Sequence, residues 1–106
     1  MEVFRKENGY EIKPGANLQG ANLDGVDLFC EDLQGANLGG ANLRSTDLSG
    51  ANLGGANLRG ADLKGAILKW TNLKYANLEG ADLRYSHHKM TEFEGANLKG
   101  TILDNF

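Results

Sequence analysis

From residue 16 the chain repeats every five residues without insertion, giving 18 pentads that run through residue 105. Ala16-Asn17-Leu18-Gln19-Gly20 is representative. The third position is Leu in 16 pentads; His88 and Phe93 are the exceptions. The first is Ala, Thr or Ser in 16, with Val26 and Glu31 departing. The second is Asn or Asp in 14, and the fifth is Gly in 11. A period of five suits no straight element. On an α-helix it would scatter the leucines around the axis. On a straight strand it would send successive leucines to opposite faces. One apolar residue per pentad can face a common interior only if the chain turns once per repeat. The pentad supports that reading. Positions one and three lie two residues apart, so in an extended segment they share a face, and both are small or apolar. Positions four and five then form a corner, where Gly supplies the positive φ of a type II turn. The expectation is an all-β, parallel β-helix with a leucine interior.

Turn chemistry gives a sharper expectation. Corners ending in Cys30, Ser45, Trp70, Tyr75, Tyr85, Met90 or Asn105 lack the usual Gly. They are expected mostly to use other turn geometry, without positive φ at Trp70 or Tyr75.

The repeat resembles the pentapeptide-repeat family, whose motif is A(N/D)LXX, over residues 16–105, about 85% of the chain. The resemblance implies a right-handed, quadrilateral β-helix with four pentads per coil, hence about four and a half coils here. At a strand spacing of about 4.8 Å the stack is roughly 22 Å long. Residues 1–15 are outside the repeat pattern and are expected to cap residues 16–106. Val3, Phe4, Tyr10 and Ile12 are candidates to cover the first coil. Phe106, with Ile102 nearby, is expected to plug the other end. An open end can also stack on a partner, as in some relatives, so monomer and end-to-end dimer both remain open.

Composition narrows the functional classes. Net charge is −3, too mild to demand nucleic acid or an acidic membrane as partner. No apolar run is long enough to cross a bilayer. The first fifteen residues lack the apolar core of a signal peptide, and Cys30 is the only cysteine. These features point to a cytoplasmic protein with no disulfide.

Few residues suggest chemistry. Glu31 occupies an inward, small-residue position, where an unpartnered carboxylate is costly. It is expected to be partly hydrated or locally bulged near the cap, with no second titratable group placed to work with it. His87 and His88 are adjacent, so in an extended strand they diverge and cannot chelate one ion. His88 is expected in or displaced from the core, and His87 at the surface. No metal or cofactor is expected. The asparagines at 17, 37, 57, 77 and 97 should form a structural amide ladder. The second face stacks Arg44, Lys64 and Arg84, with Asp62 and Asp82 close enough in sequence to neutralise them.

The third face departs most from the consensus on its outside. Twenty-residue stacking sets Ile67 over His87, Lys69 over Lys89 and Trp70 over Met90, with Tyr85 at the opposite corner. Trp and Tyr anchor interfaces, and contiguous exposed apolar surface marks contact sites. Large side chains that merely shield Gly-less corners are the competing explanation. The leading functional reading is therefore a non-enzymatic protein-interaction or scaffold module. Its candidate patch is Ile67, Lys69, Trp70, Tyr85, His87, Lys89 and Met90. The resemblance supplies an alternative: some family members modulate DNA gyrase by mimicking duplex DNA. Against it, residues 1–53 carry −4 and residues 54–106 carry +1, whereas a DNA mimic should be acidic along its length. Single-strand binding by Trp70, Tyr85, Lys69 and Lys89 would combine stacking with charge, but the net charge disfavours it. No nucleophile–base pair or paired carboxylates indicate an enzyme.

Overall fold

The computed structural model describes residues 3–104. Parallel bridges join residues twenty apart from end to end: Asn17 to Asn37, Asn37 to Asn57, Asn57 to Asn77 and Asn77 to Asn97 on the first face alone. The same spacing recurs on the other three faces, as in Asp27 to Asp47 to Ile67 to His87. Four pentads therefore make one coil. The expected all-β solenoid is the fold, and parallel crossovers of this kind are right-handed in nearly all cases. The molecule measures 43 × 24 × 22 Å.

Each pentad spends its backbone groups in the same way. The N–H of position three donates down to the next coil, as Leu38 does to the Asn57 carbonyl at 2.7 Å. The N–H of position two donates up, as Asn57 does to Ala36 at 2.9 Å. The N–H of position one closes the corner on the preceding Leu carbonyl, as Ala41 does to Leu38 at 3.0 Å. Position-three leucines from Leu18 to Leu83 are fully buried, with Ala or Thr from position one between them. Where Thr replaces Ala, its hydroxyl uses the second lone pair of that same Leu carbonyl one coil up. Thr71 Oγ1 donates to Leu48 O at 2.7 Å, and Thr46 Oγ1 to Leu23 O at 3.1 Å. The interior therefore admits a hydroxyl without stranding it.

The corners overturn the turn-geometry expectation. Cys30, Ser45, Trp70, Tyr75, Tyr85 and Met90 all have positive φ, between 55° and 63°, like the glycines. Trp70 and Tyr75 both stand at 62°. The cause is the stack. At Cys30, Ser45 and Tyr75 the N–H of position five is tied to the coil below, as Cys30 is to Ser49 O and Tyr75 to Glu94 O, both at 2.9 Å. At those corners a different geometry would break that ladder, so the coil imposes a left-handed residue whatever its side chain. Each such residue costs on the order of 1 kcal/mol. Asn105 lies outside the described residues.

Two strands, β1 (Lys6–Glu7) and β2 (Tyr10–Glu11), form an antiparallel hairpin at the N-terminal end. Its turn is Asn8-Gly9, both with positive φ, the pair that a two-residue type I′ hairpin demands. Ile12 is buried, and Phe4 and Tyr10 are half-buried, as a cap requires, but Val3 is exposed. Coil geometry also reaches back beyond the sequence repeat. Gly15 donates to Gln34 O at 2.9 Å and Ala16 to Lys13 O at 3.2 Å, the standard corner. At the other end the described residues leave the last coil open. Leu98, Ile102 and Leu103 are exposed, and Ile102 bridges outward to Asp82 rather than closing the end. The expected Phe106 plug lies outside the described residues.

Candidate functional site

Second-position Asn and Asp side chains do more than stack. Their Oδ1 atoms accept the N–H two residues ahead, as Asn37 does from Gly39 at 3.0 Å and Asp47 from Ser49 at 2.9 Å. This Asx turn bends the chain toward the corner. The expected amide ladder on the first face forms in part: Asn57 Nδ2 donates to Asn37 Oδ1 at 3.2 Å and Asn97 Nδ2 to Asn77 Oδ1 at 3.3 Å, while among the described residues the steps from Asn17 to Asn37 and from Asn57 to Asn77 carry no such bond. These polar groups serve the scaffold.

Glu31 is neither bulged nor without a titratable partner. Its N–H and carbonyl keep the coil pattern, bonding Leu28 O and Asn52 N. Its carboxylate meets Arg5 Nη1 at 2.8 Å. Arg5 also holds Glu7 and the Asp27 carbonyl on the rim of the first coil, and these hydrogen bonds hold its guanidinium more firmly protonated. The cap thus supplies the cation that the repeat pattern could not reveal. Asn8 Nδ2 caps another rim carbonyl, Asn22 O, at 2.7 Å.

His87 is exposed and His88 half-buried, with Ser86 Oγ 3.3 Å from His88 Nδ1. His88 sits in the last full coil, where no complete coil below shields it. Among the described residues, no cluster of three or more His, Cys, Asp or Glu side chains is placed to hold a metal.

Charge on three faces is largely internal. On the second, Arg44 reaches Asp62 at 3.5 Å, Lys64 reaches Asp82 at 3.9 Å, and Arg84 grips Asp82 through two hydrogen bonds. Those bonds lower the pKa of Asp82 below the usual carboxylate value. On the first, Arg59 meets Glu79 at 3.7 Å; on the fourth, Lys74 meets Glu92 at 3.5 Å.

The third face differs. None of Asp27, Asp47, Lys69 and Lys89 has an ion-pair partner among the described residues. The bridge between Ile67 and His87, with Leu68 N–H on His87 O at 2.7 Å, fixes the stacking of its lower two coils. Lys69 therefore sits one coil above Lys89, and Trp70 one coil above Met90. Trp70 is 67% exposed, Met90 55% and Tyr85 70%, while Ile67 is half-buried between them. Tyr85 stands at the far edge, its N–H held by Asp104 Oδ2 at 2.8 Å. Phe29, 58% exposed, lies on the same face near its upper end. Tyr75, also 67% exposed, lies on a different corner, over Gly95.

The family described as pentapeptide repeats matches residues 32–65, 51–87 and 61–105, in 8 copies. Among solved structures, a pentapeptide repeat protein, Rfr23, from the cyanobacterium Cyanothece 51142 is 43% identical over 86% of this chain, with a TM-score of 0.84. A pentapeptide repeat protein from the Arabidopsis thaliana thylakoid lumen is 36% identical over 83%, with a TM-score of 0.52. QnrB1, a plasmid-mediated fluoroquinolone resistance protein, is 28% identical over 84%, with a TM-score of 0.55. The chain spans 63%, 61% and 37% of those proteins, respectively. No curated protein sequence matches.

Proposed function

Because this chain belongs to the pentapeptide-repeat family, whose members are right-handed quadrilateral β-helices, we propose that it is a non-enzymatic protein-interaction module. Its contact surface is the lower third face: Ile67, Lys69, Trp70, Tyr85, His87, Lys89 and Met90. The observation that carries this reading is the coincidence of two features. Three large side chains stand more than half exposed around that face, and the two lysines between them lack ion pairs. Gly-less corners shielded by bulky residues would account for the first feature but not the second. Trp and Tyr give a partner large rigid surface at low entropic cost, and unneutralised lysines select for carboxylates. Among the described residues no helix is long and apolar enough to cross a membrane.

Affinity capture from the native cell tests the surface. Wild type and Trp70→Ala/Met90→Ala variants should retrieve different partners. Identical sets would retire it.

QnrB1, a fluoroquinolone resistance protein, is the observation that favours the second reading, a DNA-mimicking modulator of gyrase. The charge distribution weighs against it. Cations alternate with carboxylates down the second face, so the rod presents no continuous negative stripe. A gyrase supercoiling assay should show no inhibition at high protein excess. Inhibition would revive this reading.

A further inference from the structure

The third face is divided by charge along the rod. Coils one and two present Asp27 and Asp47; coils three and four present Lys69 and Lys89. The bridges Asp27 to Asp47 to Ile67 to His87 fix that order. All four charged side chains lack ion-pair partners among the described residues. The edge row of the same face reads Cys30, Gly50, Trp70, Met90, so a bare corner and a small side chain lie in the acidic half and two large ones in the basic half.

Resting on the reading of this face as a protein-contact surface, we infer that it docks against the third face of a second copy, antiparallel. The two-fold axis runs along the strand direction, midway between coils two and three. A two-fold interface must be self-complementary, and this pattern is. Coil one of each copy meets coil four of the other, and coil two meets coil three. Asp27 and Asp47 then come against the coils that carry Lys89 and Lys69. The same rotation brings Trp70 to the Gly50 corner of the other copy and Met90 to Cys30. A parallel arrangement would instead set Asp27 and Asp47 against themselves and lysine against lysine, a repulsive pairing. The acidic half thus provides on this chain the carboxylates that the unpaired lysines call for.

The contact is small. Four strands about 4.8 Å apart, across a rod 22 Å wide, give a footprint of roughly 400 Å² per copy. That is about half of a standard interface, so the dimer is transient and salt-sensitive.

Sedimentation velocity over a concentration series, at low and high salt, tests the inference. Wild type should associate reversibly, and high salt should weaken the association. Lys69→Glu/Lys89→Glu has a wholly acidic face and Asp27→Lys/Asp47→Lys a wholly basic one. Each alone should dimerise at least about tenfold more weakly than wild type. An equimolar mixture should regain association. Circular dichroism checks that these exposed substitutions leave the coil intact. Oxidation should crosslink a Met90→Cys variant only while Cys30 is present. Wild type that stays monomeric to about millimolar concentration overturns the inference. So does a mixture no stronger than its components, or charge-reversed variants that dimerise like wild type. Partners lost on Trp70→Ala/Met90→Ala, beside a strictly monomeric wild type, would remove the dimer and leave the contact surface standing.

Discussion

The ring of Tyr75 occupies the space that a side chain on Gly95, one coil below, would need; a Cβ there would collide with Tyr75 Cδ1 and Cε1. Elsewhere along the rod, a Cβ at Gly60 would meet nothing within 4 Å, although its φ of 66° is similar. The two glycines therefore separate backbone strain from steric exclusion. Gly60→Ala should cost about 1 kcal/mol from φ alone. Gly95→Ala should cost about 2–3 kcal/mol, because the ring attached close to the backbone must also move. In a Tyr75→Ala background its cost should fall to the Gly60 value. Denaturant melts of the double-mutant cycle measure the coupling.

Ser45 holds φ at 55° because its N–H is tied to Lys64 O at 3.0 Å. Its side chain is exposed at that corner. Ser45→Gly should therefore stabilise the protein by about 0.5–1 kcal/mol, the reverse of the usual effect of introducing glycine. A lower melting temperature for the variant would count against an imposed left-handed corner.

Burial along the leucine columns is uneven. Leu58 is fully buried, whereas Leu98, two coils below on the same face, is 41% exposed. Leu58→Ala should cost about 2–5 kcal/mol. Leu98→Ala should cost about 1 kcal/mol or less, since much of its surface is already in water. Chemical unfolding of both variants checks the ratio.

Asp82 carries a predictable pH dependence. Hydrogen bonds from the Arg84 side chain, at 3.0 and 2.7 Å, lower its folded-state pKa below the ordinary 3.8. Its stabilising contribution is therefore present above about pH 4 and is lost as pH falls through the folded value. Asp82→Asn keeps the acceptor for the Arg84 N–H but removes this titration. The stability gap between wild type and variant should be constant from pH 7 to 5 and close on further acidification. A gap that widens in acid would contradict the assigned direction.

The coil was legible in the sequence because every pentad repeats the same demand: an inward leucine, a small neighbour and a polar residue before the corner. The stacking partners on the third face followed only once the family resemblance set four pentads to the coil. What escaped was non-local. Tyr75 accepts positive φ because the coil below holds its N–H, which residue preference alone cannot express. Arg5 neutralises Glu31 across 26 residues, from a segment outside the repeat. The Asn8-Gly9 pair is a hairpin signal carried by the sequence itself. The Asx turns were also within reach, since Asn and Asp are the residues that bond the backbone two positions on.

The proposed contact is made by the outward departures on the third face, not by exposed aromatics in general. Trp70 and Tyr75 provide the comparison, being equally exposed at 67% on different corners. Hydroxyl-radical footprinting of the protein, free and in complex with captured native partner, reads both together. Trp70 and Met90 should be protected in the complex while Tyr75 oxidises at its free rate. Equal protection of Tyr75, or none at Trp70, would contradict the account.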